Sequence, residues 1–384
     1  MKKPLLIVII ILVVILALPV INLLRWTFQT KRPMDIVIVD KTVPTIEREK
    51  HKSFTWILTN ERFVKKENKS SYSYVKDYFG FSPTRPLRDH GSKKNDYRLA
   101  DIINIADKND AIYFTDTYGI SFNDWYVGIN KSRKSRKIYG GLNNNDNLLI
   151  KEMSTRNKLI ILEYNTFDYP TAQLESVRAQ EKLGISFSGW TGKYFSTLDT
   201  VGADFPIWMT AMYRKQFKKP WSFSKSGIVL LKEKEIIVLE EGIHLKNPMP
   251  HIITDSLFCS KYGLISSVAF DNWFDIIDPL ESNIISEFKF ETTSAGDTLL
   301  SDNGLSNVFP AVIQEPVSQR IFYFSGDFTS TDIPMWTARL KGVDKLKRIH
   351  YSDKPDDTRR FFWLYYKPLI KGIFTDYYNS INTK

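Results

Sequence analysis

Short, almost wholly apolar runs punctuate this chain, and several of them close on a carboxylate. Residues 35–40, 109–116, 158–163, 235–240 and 320–327 have the length and the aliphatic and aromatic content of strands buried on both faces. The run at 54–59 predicts another strand, preceded by a helix over 42–52. Helices are also predicted over 143–153 and from Pro170, which suits a first turn, to Gly184, which suits a terminator. Strand, polar turn and helix in repetition predict an α/β fold with a doubly wound, mostly parallel sheet. In such sheets ligands sit beyond the carboxyl ends of the strands.

After Gly184 the pattern changes. Runs at 226–231 and 235–240 flank Lys232-Glu233-Lys234 as a hairpin, a short helix fits 206–214, and strands fit 283–292 and 309–314. The aromatic stretch 361–381 reads as a helix that either docks on the body or lies on a membrane surface. Residues 65–98 form a polar excursion with a short helix near 72–78, stopped by Pro83 and Pro86. Residues 185–225 are a second excursion. The expected organisation is an anchor and juxtamembrane segment at 1–32, an α/β domain at 33–330 and a helical tail at 331–384.

Residues 4–24 are apolar except for Asn22. As a helix they span a hydrocarbon core of about 30 Å. The run exceeds a signal peptide's core, and Ala17-Leu18-Pro19-Val20 is followed by bulky side chains rather than a small-residue cleavage site. It reads as an uncleaved anchor with Trp26 at the interface. Lys2 and Lys3 favour a cytoplasmic amino terminus, so the expected location is a single-pass cell-membrane protein with an extracytoplasmic body.

Composition adds three constraints. At 384 residues, 43% hydrophobic and 14% aromatic, the chain can build a large core and is not a disordered polymer. A single cysteine, Cys259, excludes an internal disulfide framework. A net charge of +10 suits anionic lipid or an anionic polymer, and equally a plain solvated surface. No P-loop, GxGxxG, CxxC, HExxH or GxSxG pattern occurs, so no cofactor and no metal are expected. The basic run at 131–137 does not by itself make a nucleic-acid site.

The acids after the strands carry the candidate chemistry. If the strands are parallel, Asp40, Asp116, Glu163, Glu240 and Asp327 gather along one rim with Asn165. Crowded carboxylates there raise one another's pKa for acid/base work or hold sugar hydroxyls. Each acid is otherwise a helix or turn cap. Trp190, Tyr194, Trp208 and Trp221 are flat faces that either stack on sugar rings or fill the core. Asp116 and Glu163 are the candidate catalytic pair. Asp40, Asn165, Trp190, Tyr194, Glu240 and Asp327 are candidate ligand-binding residues.

The runs at 35–40, 110–119, 158–167 and 320–328 make the chain resemble the class I glutamine amidotransferase-like superfamily, including its ThuA-like and beta-galactosidase-trimerisation-like relatives, which have flavodoxin-like folds. Gly189 to Phe195 also resembles membrane-anchored bacterial proteins with a GWTGxYF segment. The resemblance implies a nucleophilic cysteine in a strand–elbow–helix turn and a downstream His-x-Glu. Here Glu163-Tyr164-Asn165 fills the elbow, Cys259 has no glycine before it, and His350 is followed by Tyr351-Ser352. Glutaminase chemistry is therefore not expected. The leading expectation is a membrane-anchored domain that binds a glycan or envelope component as an accessory to polysaccharide synthesis or export. One alternative is a carbohydrate hydrolase using paired carboxylates. The other is a structural partner of a membrane complex, acting through the basic loop and aromatic tail.

Overall fold

The computed structural model describes residues 17–84, 91–127, 135–200, 205–346, 350–352, 354 and 357–382. At its centre five strands run parallel: β1 (Ile36–Asp40), β2 (Phe79–Pro83), β3 (Ala111–Asp116), β4 (Leu159–Glu163) and β5 (Ile321–Phe324). Their spatial order is β2-β1-β3-β4-β5, the flavodoxin-like doubly wound order. Antiparallel strands extend this core on both sides to a ten-stranded sheet, so the sheet is mixed around a parallel centre.

Alternation along the strands feeds two hydrophobic layers. Ile36, Ile38, Tyr113 and Ile161 point into the layer covered by α1 (Glu49–Asn60) and, near the chain end, by the helix Lys367–Asn382. Val37, Val39, Ile112, Phe114, Ile160 and Leu162 point into the other layer, packed by Ile102 and Ala106 of α2 (Ile102–Lys108), Leu149 and Met153 of α3 (Asn144–Thr155) and Ala179 and Leu183 of α4 (Gln173–Leu183). Period-two alternation with apolar residues on both faces is why these strands read as unbroken apolar runs. Gly184 ends α4 in the left-handed region at φ +66°.

Two sequence expectations are corrected. Residues 54–59 belong to α1 rather than to a strand. Nine of its twelve residues, from His51 to Asn60, are buried, so the helix shows no polar face to betray its period. The excursion 65–98 has no helix at 72–78; it supplies β2 instead, antiparallel to Ser92–Asn95. Gly80 makes β2 fit: its φ is +139°, and a Cβ there would lie 1.7 Å from the Asp40 carbonyl oxygen.

A second, four-stranded antiparallel sheet leans over the carboxyl ends of the core strands. Its order is Glu235–Glu240, Gly227–Lys232, Ile185–Phe195, Trp273–Pro279. It is fastened to the turn after β5: Asp275 N donates to the Ser325 carbonyl at 2.6 Å, and Asp327 N donates to the Trp273 carbonyl at 2.8 Å. The aromatic tail is docked on the body, with Phe361, Phe362, Tyr365, Tyr366 and Phe374 in the main core. Among the described residues no helix is long and apolar enough to cross a membrane. Residues 4–16 of the expected anchor lie outside the described residues, as do 131–134 of the basic run. Trp26 is buried against the body, with Nε1 donating to the Thr59 carbonyl at 2.9 Å.

Candidate functional site

The chain reverses its winding between β1 and β3, and in this topology that reversal opens a crevice at the rim. In register, Asp40 stands beside Asp116 there. The two acids have different surroundings. Asp40 is fully buried: Oδ2 faces His51 Nδ1 at 2.5 Å, and Oδ1 accepts from Thr42 N at 3.0 Å. His51 Nε2 faces the Tyr74 carbonyl at 2.6 Å, so Asp40 pins the start of α1 beneath the rim.

Asp116 opens onto a cavity of about 290 Å³. Its Oδ1 accepts from Thr42 Oγ1 at 2.6 Å and Tyr118 N at 2.8 Å, which fixes the carboxyl plane. Its Oδ2 lies 3.5 Å from Lys50 Nζ, and the same ammonium donates to Asp327 Oδ2. The first turn of α1 thus places one cation between the ends of β3 and β5. Burial alone would weaken the Lys50 ammonium, but Asp327, Asp116 and Asp40 hold it above its ordinary range. Burial pushes Asp116 up to about 6, against the pull of Lys50 and with the push of Asp327 and Asp40.

Above this charged floor the walls are aromatic. Tyr118, Tyr164 and Tyr169 come from the rim loops, Trp273 from the second sheet, and Trp208 from the helix Ile207–Phe217 that covers it. Asn165, at φ +68°, also lines the cavity. Its backbone N–H donates at 3.3 Å to Asp275, which is wholly buried and also accepts from the Tyr323 hydroxyl at 2.5 Å. The other oxygen of Asp275, Oδ1, has no hydrogen-bond partner, and burial pushes this carboxyl up to about 8. Carboxyl groups, an ammonium, an amide and flat aromatic faces around a volume of this size suit a polyhydroxylated ring: hydroxyls to the polar groups, C–H faces to the rings.

The residues expected from sequence fall into two groups. Asp116, Asn165 and Asp327 meet at the cavity, as does Trp208 of the aromatic residues singled out in the sequence. Glu163, Glu240, Trp190, Tyr194 and Asp40 do not line it. Glu163 is buried behind it, with Oε1 accepting from Phe328 N, from Thr329 N at 2.8 Å and from Thr329 Oγ1 at 3.1 Å, and Oε2 from the Tyr113 hydroxyl at 2.5 Å. Burial and Asp327 push its carboxyl up, and these donors oppose the push. It shapes the turn that carries Asp327, and no Asp116–Glu163 pair is assembled in the cavity. Glu240 is not on the rim at all, because its strand is the antiparallel edge of the second sheet. There its Oε1 accepts from Ser224 N at 2.8 Å and Lys225 N at 3.0 Å. Trp190 is a core residue, whereas its neighbour Thr191 lines the cavity. Tyr194 is half-buried opposite Ile228 and off the cavity wall.

Lys50 and Trp273 are the residues that sequence reasoning missed. Lys50 sits in a charged stretch that reads as solvated helix surface. Trp273 sits in a strand the sequence did not suggest. Cys259 lies on the short helix Ser256–Tyr262, its thiol 3.5 Å from the Thr254 carbonyl, and does not line the cavity. Among the described residues no group of three His, Cys, Asp or Glu side chains is arranged to hold a metal ion.

No protein-family model matches the chain, and no curated protein matches it by sequence. The solved structures similar to it include ThuA-like proteins. That of Bacteroides uniformis aligns over 86% of this chain and 97% of its own at 8% identity and a TM-score of 0.36. That of Parabacteroides merdae aligns over 76% and 79% at 12% identity and a TM-score of 0.34. Agd3, a carbohydrate deacetylase, aligns over 87% of this chain but 33% of its own length, at 10% identity and a TM-score of 0.33.

Proposed function

We propose that the chain binds a carbohydrate in the rim cavity, and that it does so as a membrane-tethered accessory to the synthesis or export of an envelope polysaccharide. The observation that carries the binding reading is the Asp116–Lys50–Asp327 floor facing Trp208 and Trp273. Two carboxyl groups around one ammonium present directed acceptors beside directed donors, which suits hydroxyl recognition. Half-buried Trp208 and Trp273 and exposed Tyr169 at the mouth suit ring stacking. The tether rests on the apolar run 4–24.

A hydrolase is the second reading, favoured by one observation: Asp116, raised to about 6, shares the cavity with Asp327. The pair would then be Asp116 and Asp327 rather than Asp116 and Glu163. Lys50 between them argues against it, because an ammonium at that point opposes the protonation a general acid requires.

The test is a glycan array probed with the full chain in a detergent without a sugar headgroup. The reading expects retention on a defined subset of glycans, lost in Trp273→Ala and in Asp327→Asn. No retention above a blank surface would remove it. Release of nitrophenol from aryl glycosides, abolished by Asp116→Asn, would favour the hydrolase instead.

A further inference from the structure

At the end of α1 remote from Lys50, the molecule presents a corner that is apolar where a soluble surface is polar. Residues 17–27 are helical, and Val20, Leu23, Leu24 and Phe28 are exposed, Phe28 at 83%. Beside them Trp336 stands 70% exposed on the turn Met335–Arg339. Between Leu23 and Trp336 runs a groove of about 690 Å³, lined on one side by Pro19, Val20 and Leu23 and on the other by Met335, Trp336 and Leu340. The corner is firmly attached. Lys341 N donates to the Asn22 carbonyl at 3.0 Å, Trp26 is bonded to Thr59, and the Arg62 guanidinium lies 4.2 Å from the Trp26 ring centre. Arg25, Lys31, Arg339 and Lys345 are exposed around it.

We propose that this corner seats on the membrane surface and takes an acyl chain of an anionic phospholipid in the groove, with the headgroup phosphate toward Arg339 and Lys341. Two observations choose a lipid over a protein partner. The chain leads from this corner directly into the apolar residues 4–16, so whatever holds those residues also meets the groove. The rim of the apolar face carries an exposed Trp among exposed cations, the composition that lies at a bilayer interface and is drawn to anionic headgroups. The inference rests on reading 4–24 as an anchor. It adds that the body is seated rather than swinging on a tether. The sugar cavity is then held at the far end of α1, whose twelve residues span about 18 Å.

The full chain, as Cys259→Ser with Trp336→Cys, is labelled with a polarity-sensitive fluorophore and reconstituted into phosphatidylcholine vesicles with and without phosphatidylglycerol. A probe at Ile207→Cys, on the cavity side, is the reference. Phe28→Cys repeats the test should the first variant fold poorly. The proposal expects a blue shift and quenching by nitroxide-labelled lipid at residue 336 but not at 207, greater with phosphatidylglycerol and reduced by Arg339→Glu with Lys341→Glu. Vesicle-bound chain whose residue 336 probe is quenched no more than the reference overturns the seating and leaves the anchor standing. A probe shielded from water-soluble quencher yet untouched by nitroxide lipid also overturns it, in favour of a protein cover. Failure of the chain to float with vesicles overturns both the seating and the anchor.

Discussion

Lys50 Nζ lies 3.5 Å from Asp116 Oδ2 while it also bonds Asp327, so one ammonium joins the ends of β3 and β5, two strands that are not neighbours in the sheet. β4 lies between them, and its own terminal acid, Glu163, turns inward to hold the Phe328–Thr329 backbone. The floor of the cavity therefore depends on a helix residue reaching over a strand end, and on a buried acid that shapes the turn from behind.

Replacing Lys50 with Met leaves two facing carboxylates without their cation. Removing one partner of a buried pair costs about 3–5 kcal/mol. Because the Lys50 side chain is 22% exposed, a loss of about 1–3 kcal/mol is expected at neutral pH. In the variant the folded-state pKa of Asp116 rises further above its unfolded value. The folded state then holds the extra proton and loses stability as pH climbs through that window, so the deficit should be larger at about pH 8 than at about pH 5. Urea unfolding at the two pH values checks both the size and the trend.

Asp275 gives a separate pH signature. Its folded pKa of about 8 lies above an unfolded value near 4, so the native state binds the extra proton between them. Stability contributed by that proton falls as pH rises from about 4 to about 8, by up to about 1.4 kcal/mol per pH unit for one such group. Asp275→Asn keeps the shape, still accepts from Tyr323 and Asn165, and should flatten that slope and raise stability at about pH 8. An unchanged slope in denaturation midpoints would show that Asp275 is not the group responsible.

Glu163→Gln tests whether Glu163 is a scaffold. The amide oxygen can keep the Phe328 and Thr329 N–H groups while the NH2 turns to the Tyr113 hydroxyl, which then accepts and can donate to Tyr366. A loss of only about 0.5–1.5 kcal/mol in unfolding free energy is expected. Glycan affinity should fall less than in Asp327→Asn, measured on the same preparation.

Gly80→Ala tests the strand hidden in the polar excursion. A Cβ at φ +139° would strike the Asp40 carbonyl, and backbone cannot yield as a flexible side chain can. Loss of more than about 3 kcal/mol, or failure to fold, is expected from such a clash combined with strain. Near-wild-type thermal unfolding would mean β2 does not pair with β1 as described.

What could be read from the sequence follows from local physics. β1, β3, β4 and β5, the hairpin around Glu233, the strand Asn283–Thr292 and the Gly184 stop all announced themselves, because their residues satisfy one period or one turn. α1 did not, since burial on all sides erased its periodicity, and β2 did not, since its Gly and Pro are what an excursion would contain. The rim was visible as a row of terminal acids. Which acids face the cavity was not, because that depends on partners distant in sequence: His51 for Asp40, Phe328 for Glu163, Ser224 for Glu240. The antiparallel second sheet took Glu240 away from the rim and brought Trp273 to it.

The most direct test of the central claim is a fluorescence titration of the full chain with the glycan best retained on the array, in the wild type and in Trp208→Phe with Trp273→Phe. The account predicts a saturable change in tryptophan emission in the wild type. In the double variant that change should be largely lost, because both reporting indoles are gone, while the affinity falls less than in Trp273→Ala, because phenylalanine keeps a ring face. A saturable change of equal size and affinity in both proteins would contradict it.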